Sequence, residues 1–222
     1  SVGAKYDQSG NIINIGFIKD SIRFDSLFNQ PKILYGDGVY ILKTDSNSTA
    51  LWLNSIDIKV LDFDLDLLGN IYIIGFYFDT IDIDPGINTI ILPPDPARQS
   101  NRSHVVLKVN NSGDLIWAKN ISGNYLISSK IVVDKTSNIY IATNFDGIIN
   151  IDPSLTGAVT FTHPNTMSVF KWDANGNYIW GKAFGQYVDL TSIAIKKDQL
   201  TLTGSYKGTV DFDPDPNKMF YK

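Results

Sequence analysis

An internal repeat decides most of what this chain can fold into. An extended segment beginning at Asn11 (NIINIG) returns at Asn70 (NIYIIG) and Asn138 (NIYIAT), with a weaker copy, LTLTG, from Leu200 to Gly204. The copies lie roughly 60 to 68 residues apart, a period that belongs to repeat architectures. A second segment follows each full copy: YILKTD ending at Asp45, VVLKVN at Asn110 and VFKWD at Asp173, holding Lys43, Lys108 and Lys171. Nine positions after each Lys stands a Trp, namely Trp52, Trp117 and Trp180, reached through turn-rich stretches such as NNSGDLIW and DANGNYIW. The spacing predicts strand, turn, strand, with the Lys-bearing and Trp-bearing strands as antiparallel neighbours.

Two further landmarks complete the unit. IDIDPG (Ile81–Gly86), INIDPS (Ile149–Ser154) and VDFDPD (Val210–Asp215) recur, with a decayed form, RFDS, at Arg23–Ser26. Proline cannot donate to a strand ladder, so each full copy should end a strand there. Before each Asn-initiated strand comes SVGAKYD, KVLDFDLD, SKIVVD or TSIAIKKD, which supplies a first strand. In NIYIIG, Ile71 and Ile73 point one way and Tyr72 and Ile74 the other, so the strand is apolar on both faces and expects cover on both. A sandwich strand buries one face only. The pattern therefore favours an all-β fold of β-propeller blades packed between neighbours, with a β-solenoid as the alternative.

These motifs resemble the β-propeller repeats of secreted and cell-surface bacterial proteins, especially of the Bacteroidota, whose unit reads approximately GN-x-Y-x-x-G-x-F…DFDPG…K-x-D-x-x-G-x-x-x-W. The resemblance spans nearly the whole chain. It is closest in the second copy, at Gly69, Asn70, Tyr72, Gly75, Phe76, Asp82, Asp84, Pro85, Gly86, Lys108, Gly113 and Trp117. It implies architecture and export, placing the chain as secreted or on the bacterial cell surface, and fixes no ligand. Blades are expected at about residues 1–57, 58–127, 128–187 and, incomplete, 188–222. About three and a half blades cannot close a ring, so the remaining blades of its own chain or a partner protein should complete the edge near Val210 to Lys222, covering Phe212, Met219 and Phe220.

Composition narrows the function. A net charge of −4, with no basic run longer than Lys196–Lys197, gives no footprint for nucleic acid. No apolar run reaches the roughly 20 residues of a membrane-spanning helix. Cysteine is absent, which excludes disulfides, thiol catalysis and cysteine-based zinc sites. The opening SVGAKYDQSG carries no export signal, so any such signal is expected to have been removed or to lie outside this stretch.

The candidate site residues each carry two readings. Asp82 with Asp84, and Asp211 with Asp213, stand two apart on a strand and so share a face, where they could hold Ca²⁺; equally, they could cap the Asp-Pro turn. Asp62 and Asp64 belong to one blade only, which makes them ligand or cation contacts if they face a central channel and a solvated or Lys-paired surface otherwise. They form no EF-hand, because Gly69 comes too late and Ile73 stands where the closing Glu belongs. Trp52, Trp117 and Trp180 repeat with the fold and read as packing anchors, whereas Trp172 does not repeat and reads as an exposed, ligand-binding aromatic. His104 and His163, lacking partners in sequence, read as surface loop residues. The polar, proline-rich stretch Pro93–His104 reads as a surface insertion that is mobile or bound to a partner. Ser21, Ser26 and Thr80 lie in Asp-Ser/Thr-Ile/Leu triplets that resemble the O-glycosylation acceptor of Bacteroidota exported proteins.

No nucleophile and base pair up, so the leading expectation is a non-catalytic scaffold or protein-interaction module, not an enzyme, associated with an outer membrane assembly. The alternatives are a carbohydrate- or peptide-binding propeller, or a fragment of a propeller enzyme whose site lies in other blades.

Overall fold

A computed structural model describes residues 2–25, 27–28, 30–98, 100–154, 158–197 and 199–212, with backbone alone at 124, 125, 163, 164, 184 and 186. Among the described residues there is no helix. The first unit runs β1 (Gly3–Tyr6), β2 (Ile12–Phe17), β3 (Ser21–Phe24), β4 (Lys32–Tyr35), β5 (Val39–Thr44) and β6 (Ala50–Ile56). The second runs β7 (Lys59–Leu65), β8 (Ile71–Tyr77), β9 (Ile81–Asp82), β10 (Ile91–Leu92), β11 (Ser103–Val109) and the long β12 (Leu115–Val133). Then come β13 (Ile139–Asn150), β14 (Thr160–Trp172), β15 (Tyr178–Gln186), β16 (Val188–Lys196) and β17 (Gln199–Tyr206).

Each unit is an antiparallel meander. Sheet I has the order β1-β2-β5-β6, with β3-β4 as a side hairpin. β7, β8, β11 and the first half of β12 form sheet II; the second half of β12 with β13, β14 and β15 forms sheet III. β16 and β17 form sheet IV. The Lys-bearing and Trp-bearing strands are antiparallel neighbours, with Lys43 opposite Trp52, Lys108 opposite Trp117 and Lys171 opposite Trp180. Among the described residues no sheet closes on itself.

The hairpins share one device, a carboxylate or amide that folds back on its own turn. Asp66 Oδ1 accepts from Leu68 N at 3.0 Å and Asn70 N at 2.9 Å, while Asn70 Nδ2 donates to its Oδ2. Asp7, Asp45, Asn110, Asp134 and Asp173 likewise accept, through Oδ1, from the backbone N–H two places on. The turn needs a left-handed residue three places on: Gly69 supplies it at φ +78°, and Ser137 adopts it at φ 63° in the third unit.

The sheets stack face to face. Ile13, Ile15, Val39 and Ile41 of sheet I pack on Ile71, Ile73, Val105 and Leu107 of sheet II. The other face of sheet II, with Tyr72, Ile74 and Val106, packs on Ile139, Ile141, Phe170 and Trp172 of sheet III. Ala142, Met167 and Val169 then meet Val188 and Leu190 of sheet IV. The double-sided cover expected of NIYIIG is thus present, and β12, which carries register shifts between residues 123 and 128, is where sheets II and III fold onto each other.

Candidate functional site

Most of the chemistry-bearing side chains lie where one sheet meets the next. Trp52 Nε1 donates to the Asn111 carbonyl at 3.1 Å, Asn54 Nδ2 donates to the Gly113 carbonyl at 2.8 Å, and Lys43 Nζ donates to Asn111 Oδ1. One interface later the pattern returns. Trp117 Nε1 and Lys108 Nζ both donate to the Ala174 carbonyl at 3.2 Å, and Lys119 Nζ reaches Asn177 Oδ1 at 3.4 Å. The Lys and Trp of the first two units therefore grip the turn of the following one.

Each Lys also faces the turn Asp of its own unit. Lys43 sits 2.9 Å from Asp7 and Lys171 sits 3.7 Å from Asp134. Burial alone would raise the Asp7 carboxyl, but the Lys43 and Asn11 hydrogen bonds and the Lys43 charge together bring it down to about 2. Burial pushes Lys108 down against the pull of Asp66 and Asp173.

Asp62 and Asp64 are staples between sheets. Asp62 Oδ2 accepts from Ile131 N at 3.1 Å and Asp64 Oδ2 from Val133 N at 2.8 Å, so β7 holds the second half of β12. Asp64 Oδ1 also pairs with Lys5 of β1 at 2.8 Å. Burial raises the Asp62 carboxyl, opposed by the Ile131 N–H and by the charge of Lys130.

Asp82 and Asp84 form the Asp-Pro corner. Asp82 Oδ1 accepts from Asp84 N and Ile90 N, and Asp84 Oδ1 from Gly86 N at 2.7 Å. In the third unit Asn150 takes the place of Asp82, accepting from Asp152 N and Val159 N at 3.1 Å. An amide thus does the same work, which identifies a turn that needs an acceptor rather than a charge. Asp211 is half-buried; Asp213 lies outside the described residues, as do Met219 and Phe220. Among the described residues no three His, Asp or Glu side chains come together as a metal site.

Two expectations need correction. Trp172 is not an exposed aromatic: it is 0 % exposed, its Nε1 donates to the Ile151 carbonyl at 2.8 Å, and its ring leans on Phe170. It alternates with Lys171 along β14, so when the Lys turns toward sheet IV the Trp turns into the core against sheet II. His104 is not a surface loop residue but a buried member of β11, beside Phe76 at 5.9 Å. Nothing is described of the His163 side chain. The insertion Pro93–His104 lies largely at the surface, with Pro93, Pro96, Ala97 and Asn101 exposed, and is held by Tyr77 OH donating to the Pro93 carbonyl, Asp95 N to Ser103 Oγ and Arg98 Nη1 to the Phe78 carbonyl. Its polar composition hid these bonds, which rest on strand residues distant in sequence.

Ser21, at the start of β3, and Thr80, just before β9, are both exposed and occupy equivalent positions in the repeat; Ser26 lies outside the described residues. Two surface grooves also occupy equivalent places. One, of about 640 Å³, lies between Asp95–Ala97 and Asp152–Ser154 over Lys119, Asn120 and Ser122; the other, of about 440 Å³, lies between Tyr35–Gly38 and Thr80–Gly86. No helix is long and apolar enough to cross a membrane among the described residues. Compared with known proteins, the chain matches no protein-family model and no curated protein sequence.

Proposed function

We propose that the chain is part of a β-propeller, with each four-stranded meander a blade, that works as a non-catalytic interaction scaffold. The observation that carries this reading is the repeated grip of Trp and Lys on the next unit's turn, which propagates one stacking geometry from sheet to sheet. Such stacking leaves an unsatisfied face at each end until further blades close the ring. The repeating Asp, Lys and Trp side chains hold turns and neighbours together, which suits a framework whose contacts with partners come from loops. Negative-stain electron microscopy of the native protein tests the architecture: ring-shaped particles of four to eight blades support it, and an elongated stack overturns it.

A second reading, binding of a carbohydrate or peptide, draws on the groove of about 640 Å³, where Lys119, Asn120 and Ser122 offer donors between two rigid corners. A panel of glycans and peptides screened against the protein and a Lys119→Ala, Asn120→Ala variant would show loss of a specific binder in the variant, or no binder at all. The resemblance of the repeat to exported Bacteroidota proteins supports a secreted or cell-surface location and O-glycosylation at Ser21 and Thr80. Unmodified peptides from native material, seen by mass spectrometry, would remove the glycosylation.

A further inference from the structure

The grip between units is made twice in full, and the third unit holds one half of it. In the second unit, Trp117 meets Tyr72 edge-on at 6.2 Å and 66°, and Lys108 Nζ lies 4.9 Å from the centre of the Tyr72 ring. In that posture both donate to the Ala174 carbonyl. In the third unit, Trp180 meets Tyr140 at 6.2 Å and 67°, and Lys171 Nζ lies 4.8 Å from the Tyr140 ring. The donor pair is therefore set in the same posture, with Lys182 exposed two places beyond Trp180, where Asn54 and Lys119 stand in the first two units. Among the described residues sheet IV has only β16 and β17, and none of them forms a third-to-fourth-strand turn opposite these donors.

β17 adds a second, independent observation. In sheets I, II and III the second strand pairs with the first on one side and with the third on the other. Among the described residues β17 pairs with β16 alone, and beside it runs a cleft of about 270 Å³ lined by Met167, Val188, Leu202, Tyr206 and Phe212. Its register copies β8. Gly204 approaches the Asp189 carbonyl as Gly75 approaches the Lys59 carbonyl, so closely that a Cβ would stand 2.2 Å and 2.7 Å from the respective oxygens. Val105 lies opposite Gly75, and an added strand would by the same register place its equivalent residue opposite Gly204.

We propose that the edge of β17 left unpaired among the described residues, together with Lys171, Trp180 and Lys182, is a docking site for a β-hairpin closed by an Asx turn, built as the third and fourth strands of another such repeat. The hairpin's first strand pairs with β17 and its turn carbonyl takes the Trp180 indole N–H and the Lys171 ammonium. The inference rests on the propeller reading above and gives it a specific chemistry of closure.

The probe is a fluorescently labelled peptide copying residues 103–121, with a cysteine added at each end and oxidised so that the hairpin is preformed. Its binding to the 222-residue protein is followed by fluorescence anisotropy. Saturable binding is expected, weakened roughly 3- to 10-fold by Trp180→Phe, which removes one hydrogen-bond donor. Trp52→Phe makes the same change in a grip already engaged and should leave binding unaltered. A peptide with Asn110→Ala and Gly113→Ala should bind poorly, because its turn is broken. Should Trp180→Phe not fold, Lys182→Ala at an exposed position replaces it, with roughly 2-fold weakening. Absence of binding, or equal binding by Trp180→Phe and the parent, overturns the proposal. Ring-shaped particles without peptide binding would remove this site and leave the propeller reading standing; peptide binding without rings would do the reverse.

Discussion

His104 should make the contact between sheets II and III sensitive to acid. It is 2 % exposed, shares a face of sheet II with Phe76 and Ile121, and has its Nε2 without a partner among the described residues. Burial first, then the positive charge of Arg102, lowers its pKa from 6.5 to about 4, against a hydrogen bond to the Leu126 backbone that favours the proton. The unfolded chain therefore binds a proton on this residue between pH 6.5 and 4 while the folded chain does not. Stability from this group is complete above pH 6.5 and falls as the pH drops toward 4, by about 3 kcal/mol across the window. Asp62, whose carboxyl is raised by burial, works in the opposite direction, favouring the folded state as it takes up its proton. Comparison with a variant cancels that contribution. Urea unfolding of the parent and His104→Phe at pH 7.5, 6.5, 5.5 and 4.5 isolates the histidine. The variant keeps an aromatic ring in the site but cannot titrate, so its stability should be much flatter across this range. An equal loss of stability in both proteins would refute the reasoning.

Other consequences follow from single contacts. Trp117→Phe removes the bond to the Ala174 carbonyl and part of the packing, which should cost about 2 kcal/mol and lower Tm by roughly 4–8 °C in a thermal melt. Arg98→Ala frees the Phe78 carbonyl and loosens the Pro93–His104 segment, so amide hydrogen exchange should rise at residues 95–103 with a loss of about 1 kcal/mol. Because Asp82 and Asp84 already accept backbone N–H groups, millimolar Ca²⁺ should leave Tm unchanged by calorimetry; a rise of several degrees would establish calcium binding there.

What the sequence made legible was whatever repeats. Alternation in NIYIIG is enough to demand cover on both faces, and the nine-residue step from Lys to Trp is enough to pair those strands, because both follow from strand periodicity and turn chemistry alone. What stayed hidden was the choice of partner across a sheet interface. The equivalence of Trp52, Trp117 and Trp180 marks them as structural, yet the acceptor of Trp52 and of Trp117 is a carbonyl on a turn 59 or 57 residues away, which no local pattern specifies. Trp172 breaks the repeat yet is fully buried, so failure to repeat does not signal exposure. Parity with its neighbour Lys171 carried the better signal, since a strand whose Lys faces one sheet must turn the next residue toward the other. His104 likewise shares its parity with the buried Val106, and only the polar run before it suggested a loop.

The residues that depart from the repeat are as informative as those that keep it. A stack of similar units could in principle pair any unit with any other, because the apolar faces and the Trp–Lys grip are nearly interchangeable. The odd polar residues differ from one interface to the next. Between sheets I and II, Lys5 meets Asp64; between II and III, Asp62 and Asp64 take the Ile131 and Val133 N–H groups; between III and IV, Asn144 accepts from Leu190 N at 2.8 Å and donates to the Val188 carbonyl. Asn144 stands where the second unit has Phe76, just after Thr143, which replaces the repeat's glycine. Were sheet IV to follow sheet II directly, it would meet Phe76 instead of Asn144, while Asp62 would lose its β12 backbone donor and Asp64 would keep Lys5 alone, a penalty of roughly 1–3 kcal/mol for each lost partner. The repeated grip supplies the stacking, and the departures from it fix the order of the stack.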